Sequence, residues 1–276
     1  MTAGLGLDPC TPAALEVLEG LVREVAQREI MPLFGACGSR LKEDGSLVTA
    51  ADTAVQAWLV KELCRRWPQF AMVGEEMSEA EQHAALWSAR GAWCLDPLDG
   101  TTNFVNRLPF FAVSLALLQN GGPVLGVVYD PVRGECFKAL RGQGAWLNGK
   151  RLHPPERSPA LRRCVALVDF KRLKPQLAGR LGVDPPYGSQ RNWGSCALEW
   201  CWLAAGRAQL SVHGGQKLWD YAAGSLILME AGGVATTLDG GPLPYDGLAP
   251  SSALAACSLD LHEAWRAWIG HNAARC

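Results

Sequence analysis

The sequence predicts a layered α/β fold with mixed sheets, and two observations carry that reading. Three apolar segments, Phe111–Leu118, Val124–Tyr129 and Glu135–Leu140, follow one another across turn-rich joints, as the strands of an antiparallel meander do. From Val165 onward, strand-like and helix-like segments alternate instead. A simple doubly wound sheet would alternate throughout. With 276 residues and 49% hydrophobic content, the chain can bury a full core. The expected organisation is one domain over residues 1–276, with intimate sub-lobes at roughly 1–150 and 151–276.

Within residues 12–31, Leu15, Leu18, Val22 and Val25 recur at the spacing of one helix face, with Thr11 as cap and Pro12 at the first helical position. Phe34 to Val48 reads as a loop containing Gly35, Gly38 and Gly45. Thr49 or Asp52 opens a second helix, whose Val55, Leu59 and Leu63 share a stripe. Phe70–Val73 reads as a strand that stops at Gly74-Glu75-Glu76, and Ala92–Leu95 as a short buried strand. Gln119 to Pro123 is a hairpin joint and Pro131–Gly134 a turn. Residues 150–162, basic and proline-rich, read as a connector between lobes. Beyond it come a strand at Val165–Val168, a helix near Ser195–Ala205, a strand at Ala208–Val212 and a helix at Tyr221–Ala231. Strands at Val234–Thr236 and Ala253–Cys257 and a terminal helix from Asp260 complete the pattern.

A formal net charge of -1, with no run of five like charges, argues against a general nucleic-acid binder. The ten cysteines form no C-x-x-C pair, and Cys94 and Cys257 lie in apolar runs, so they read as small hydrophobes of a reducing compartment. No leader pattern opens the chain, and no run approaches the roughly 20 apolar residues of a membrane span. The expectation is a soluble cytoplasmic protein without a membrane partner.

Chemistry concentrates in Asp96-Pro97-Leu98-Asp99-Gly100-Thr101-Thr102-Asn103-Phe104. Two carboxylates three residues apart sit at a strand end beside a Gly-Thr-Thr turn. Pro97 keeps Asp96 extended, so the side chains fan out around the turn. Carboxylates gathered this way raise each other's pKa values unless a cation sits among them. Oxygen ligands without a nearby Cys or His pair suit magnesium, calcium or manganese, not zinc. Asp-Pro and Asp-Gly are also common loop punctuation, and single acids at helix starts, such as Asp52 and Asp220, are commonly caps.

The joint pattern decides between these readings. Gly74-Glu75-Glu76, the central nine-residue motif and Trp219-Asp220-Tyr221-Ala222-Ala223-Gly224 together resemble the inositol monophosphatase family of magnesium-dependent, lithium-sensitive phosphatases. Val48-Thr49-Ala50-Ala51-Asp52 is similar to that family's V-T-x-x-D, and Asn192 to Leu198 to its glycine-plus-hydroxyl segment. The resemblance runs from about Leu15 to Cys257. It implies an αβαβα sandwich with largely antiparallel mixed sheets, a phosphorylated small-molecule substrate and a homodimer. It further implies that Glu75, Asp96 and the Leu98 carbonyl hold one magnesium ion. Asp96, Asp99 and Asp220 would hold a second, and a third, weaker ion would sit near Glu75. Manganese or calcium would suit the same oxygens. Asp52 and Thr101 would orient the attacking water, and the Gly100 and Thr101 amides would bind phosphate. A helix beginning near Thr102 would add its positive end there. Lys42 matches a loop lysine that would help close the site, and Ser195 and Cys196 would border the substrate.

The leaving-group side departs from the family. His213 stands where an acid is expected, seven residues before Asp220. An imidazole accepts one hydrogen bond and donates one, and lacks bidentate acceptance. Inositol, another polyol or sugar phosphate, histidinol phosphate or a bisphosphate nucleotide therefore all stay open as substrates, as does a regulatory role without catalysis. Thr102-Asn103-Phe104 favours a monoester, because the related bisphosphate nucleotidases tend to carry a charged pair there. The D-x-x-D-G-T stretch also superficially resembles the aspartyl-phosphate-forming haloacid dehalogenases, with the spacing off by one residue. His83, His153, His262 and His271 read as surface residues, and Trp193, Trp200, Trp202 and Trp219 as core or subunit-interface packing.

Overall fold

The Thr11 hydroxyl accepts a hydrogen bond from the Ala14 amide at 3.2 Å, opening α1 (Pro12–Val25), which continues through a π turn (Ala26–Ile30) and a 3-10 turn (Met31–Leu33). The computed structural model describes residues 8–36, 38–42, 47–155 and 158–273. Cys37, Gly45, Cys276, the side chain of His271 and the first seven residues lie outside the described residues. The expected loop from Phe34 to Val48 contains a short hairpin, β1 (Ser39–Leu41) and β2 (Leu47–Thr49). β1 is exposed, so no apolar alternation announced it. Thr49 and Asp52 then act together at the start of α2 (Ala50–Arg66). The Thr49 hydroxyl accepts from the Ala51 amide, and Asp52 Oδ2 accepts from the Thr49 amide at 2.7 Å.

β3 (Ala71–Gly74) leads to α3 (Glu79–Leu86), a mostly polar helix capped by Ser78 and Glu81 that the periodicity did not signal. β4 (Ala92–Asp99) runs past Leu95 through both aspartates, longer than expected, and α4 (Thr101–Val105) follows. Next come β5 (Ala112–Gln119), β6 (Gly122–Asp130) and β7 (Glu135–Leu140). Asn120 and Gly121, at φ 51° and 78°, make the two-residue turn between β5 and β6. The meander extends into β8 (Gly144–Leu147) and β9 (Lys150–Arg151), so the expected connector starts later than residue 150.

The second half holds β10 (Val165–Asp169), α5 (Pro175–Val183), β11 (Ser189–Arg191), α6 (Cys196–Ala204) and β12 (Leu210–Gln216). It closes with α7 (Leu218–Glu230), β13 (Val234–Thr236), β14 (Ser251–Ala256) and α8 (Leu259–Ala273). Only α5 and β11 were not expected there.

Strands β3 to β9 form a seven-stranded sheet in chain order, parallel only between β3 and β4. The second sheet has the order β11-β10-β12-β14-β13, with the first three parallel and the rest antiparallel. Strand alternation sorts the core into layers. Trp93 and Leu95 of β4 pack with Leu18 and Val22 of α1 and Leu59 of α2. Cys94 faces the opposite way, among Leu198 of α6, Ala223 and Ile227 of α7, and Ala253 and Ala255 of β14. Trp265 of α8 covers the far side of the second sheet with Val168, Val212 and Leu254. The result is α1/α2, sheet, α6/α7, sheet, α5/α8. Among the described residues no helix is long and apolar enough to cross a membrane.

The middle layer is tight because its helices meet through small residues. A Cβ on Gly224 of α7 would lie 2.4 Å from Trp200 Cβ of α6. Gly224→Ala is therefore expected to cost about 1–3 kcal/mol by overpacking. Urea unfolding checks this, and an unchanged midpoint would show that the two helices can separate. Trp200 and Trp219 are core residues, whereas Trp193, stacked on Phe110 at 5.6 Å, is 39% exposed. His83 and His153 are exposed as expected. His262 is not: it is 3% exposed and its Nε2 lies 3.1 Å from Thr236 Oγ1, because α8 folds back over β13.

Candidate active site

Pro97 offers no N–H to the ladder, and the β4–β5 register shifts between Asp96 and Asp99. The freed Asp96 Oδ1 accepts the Leu98 amide at 3.0 Å. Gly100 turns the chain at φ 92°, and a Cβ there would meet the Phe110 carbonyl at 3.0 Å, so glycine is required. α4 starts at Thr101, one residue earlier than expected.

Asp220 lies in the first turn of α7, where the Lys217 amide donates to its Oδ2 at 2.8 Å. α7 runs under β4, and this brings carboxylate oxygens of Asp96, Asp99 and Asp220 within 4.8 Å of one another. Glu75 follows β3, the parallel neighbour of β4, and its amide donates to the Leu95 carbonyl at 3.2 Å. Lys42 binds both Glu75, at 2.9 Å, and Glu76, at 2.5 Å. Asp52 Oδ2 is taken by the Thr49 amide and hydroxyl, while Oδ1 faces the Thr101 hydroxyl at 3.1 Å. That hydroxyl also lies 2.9 Å from the Leu98 carbonyl.

Asp99 joins the two halves of the chain. It accepts hydrogen bonds from the Ser195 hydroxyl, the Cys196 amide at 3.2 Å and the Ala197 amide at 2.8 Å, all at the start of α6. Ser195 and Cys196 thus meet the acid cluster directly. His213 is engaged within the protein: its Nδ1 accepts the Gly215 amide at 3.1 Å and its Nε2 lies 3.2 Å from Asp169 Oδ2.

Burial, then Glu75, Asp99 and Asp220, push the Asp96 carboxyl well above its usual range. Burial raises Asp99 to about 6 against the hydrogen bonds from Ser195 and α6, and burial with Asp99 raises Asp220 to about 8. Burial also raises Glu75, although Lys42 opposes it, and raises Asp52 against its Thr49 and Thr101 hydrogen bonds. Among the described residues, no lysine or arginine forms an ion pair with Asp96, Asp99 or Asp220. An all-oxygen, negatively charged and unneutralised donor set fits a hard divalent cation.

The sign of the resulting pH dependence follows. With folded pKa values above the unfolded ones, the folded chain holds more protons between about pH 4 and 8, so metal-free stability falls as pH rises through that window. Chelator-treated protein is expected to melt higher near pH 5 than near pH 8.5, with magnesium closing the gap. A higher melt at the alkaline pH would contradict the raised acids.

Three contributors were given no structural role by the sequence reading, although Asn103 lies within its central motif and in the triplet read as favouring a monoester. Glu199, raised to about 7 by burial, accepts the Trp193 amide at 2.6 Å. Asn103 donates to the Trp193 carbonyl at 2.6 Å and the Phe110 carbonyl at 2.7 Å, so the two residues clamp the segment before Ser195. The third, Asp169, had no local signal beyond a lone acid at a strand end.

The profile of the family described as the inositol monophosphatase family matches residues 9–273. The chain is similar to Nus factor SuhB of Pasteurella multocida, 38% identical over 206 residues, 73% of this chain and 75% of that one. It is likewise similar to inositol monophosphatase 2 of Solanum lycopersicum, 39% identical over 196 residues, 68% and 73% of the two chains. Among solved structures, the Thermotoga maritima IMPase superposes with a TM-score of 0.82 at 28% identity, covering 95% of this chain and 99% of that one.

Proposed function

The chain belongs to the inositol monophosphatase family, and from that premise we propose that it is a magnesium-dependent phosphomonoesterase acting on inositol monophosphate or a similar polyol or sugar phosphate. The observation that carries this reading is the convergence of Asp96, Asp99 and Asp220 within 4.8 Å. Glu75, Asp96 and the Leu98 carbonyl would hold one magnesium ion, and Asp96, Asp99 and Asp220 a second, with a third near Glu75. Manganese or calcium suits the same oxygens. When bound, these ions neutralise phosphate charge and acidify water.

The chain's own groups do the positioning. Thr101 accepts a hydrogen bond from the attacking water while donating to Asp52 Oδ1, 3.1 Å away. Asp52, raised by burial, is suited to take up the proton. The Gly100 and Thr101 amides hold phosphate oxygens. Lys42 closes the loop side, and Ser195 and Cys196 border the leaving group.

A phosphate-release screen over inositol, sugar, glycerol and histidinol phosphates and adenosine bisphosphate tests the reading. Release from a monoester is expected, falling at least about 100-fold with chelator and falling also with lithium. No magnesium-dependent release from any substrate would overturn it. A homodimer belongs to the same reading, and sedimentation checks it. Because one relative bears the name Nus factor, a protein-binding role beside catalysis is the second reading. A stoichiometric partner that binds wild type and Asp220→Asn equally would support it.

A further inference from the structure

Asp169 ends β10 and His213 lies beside it in the parallel register of β12. Their neighbours Val168 and Val212 point into the outer core against α8, so Asp169 and His213 face the middle layer, where α6 begins. Cys196, the first residue of α6, links them to the acid cluster. Its amide donates to Asp99 at 3.2 Å, and its Sγ lies 4.0 Å from His213 Nε2. The pair therefore stands beside the acid cluster, with Asp169 at the carboxyl end of β10 and His213 at the last position where β12 pairs with it, the end of parallel strands at which α/β sheets bind ligands.

The imidazole is fully engaged inside the protein. The β12–β14 register breaks after His213, and the Gly215 amide turns back onto Nδ1 at 3.1 Å instead of joining the ladder. An acceptor Nδ1 leaves the neutral ring's proton on Nε2, which faces Asp169 Oδ2 at 3.2 Å. Asp169 retains capacity. A carboxylate has about four lone-pair sites, and His213 and the Lys171 amide, at 3.1 Å, take one each. Arg172 Nε stands 4.0 Å away. Burial opposes ionisation of Asp169, but the hydrogen bonds from His213 and the Lys171 amide, with the nearby Lys171 charge, outweigh it and hold its pKa down.

We propose that Asp169, braced by His213, is the specificity-determining acceptor that binds two hydroxyls of the leaving group, and that the substrate is the monophosphate of a neutral polyol. This rests on the phosphatase reading above. His213 is a positioning residue: it holds the carboxylate and does not itself touch the substrate. The acid absent from position 213 is supplied across the sheet by the neighbouring strand.

The test compares kcat/KM for inositol monophosphate with that for p-nitrophenyl phosphate, whose leaving group has no hydroxyls. In Asp169→Asn the ratio of the two is expected to fall about 10- to 100-fold, mainly through KM for the polyol ester, as one or two charge-assisted hydrogen bonds weaken. His213→Ala should lower the ratio in the same direction, and His213→Gln, which can still donate to Asp169, should restore part of it. Melting temperatures separate these effects from loss of fold. An unchanged ratio in folded Asp169→Asn protein, or a wild-type preference for adenosine bisphosphate over polyol esters, overturns the proposal. If wild type releases phosphate from neither ester with magnesium, the phosphatase reading falls first and the role of Asp169 falls with it.

Discussion

Asp96→Asn protein is expected to lose at least about 10³-fold in magnesium-dependent phosphate release, since one bound dication supplies several kcal/mol of charge stabilisation. The same substitution is expected to raise the melting temperature of the metal-free protein by about 2–6 °C. Both effects have one cause. Asp96 is 2% exposed and sits among Glu75, Asp99 and Asp220, whose charges it must share when no cation is present. Asparagine keeps the oxygen that accepts the Leu98 amide at 3.0 Å and removes the charge. A buried cluster of acids that a dication would neutralise is a strained place without one, as expected where stability is given up for function. Activity assays, calorimetric magnesium titration and thermal melts of the two proteins decide the matter. Retained activity, or a metal-free variant that melts lower than wild type, would remove Asp96 from the ligand set.

Thr101→Ala should lower kcat by about 10²–10³-fold while KM changes only severalfold and magnesium still binds. The hydroxyl reaches both Asp52 Oδ1, at 3.1 Å, and the Leu98 carbonyl, at 2.9 Å. Alanine removes one of the hydrogen bonds to the buried Asp52 carboxylate and leaves those from Thr49, for a further loss of about 1 kcal/mol in stability. Thr101→Ser restores the hydroxyl and should recover most of the rate. If Thr101→Ala kept kcat within threefold, water would be oriented by other groups.

The residues that were legible in the sequence share a property: their signal is local. Thr11 and Pro12 announce α1, Thr49 and Asp52 announce α2, and the Asn120-Gly121 turn sets the meander, each through bonds made within a few residues. The central motif belongs to the same class, because Pro97, the Asp96–Leu98 bond and Gly100 shape the turn from within. Elements without a local apolar pattern were missed. α3 buries only Gln82 and Ala85, and β11 buries nothing fully, so neither carries a periodic stripe.

What the chain alone determined, then, is the chemistry: a set of acids and a hydroxyl placed where backbone geometry changes, and the layered fold that could gather them. Which partners those groups meet was decided only by the tertiary structure. Asp99 is tied to α6 across 96 residues of chain by the Ser195 bond, and Asp169 meets His213 only through the register of β10 with β12. Such contacts arise from how sheets and helices stack. Side-chain identity along a strand carries no record of which distant strand will lie beside it, and so the pairing of Asp169 with His213 became readable only in three dimensions.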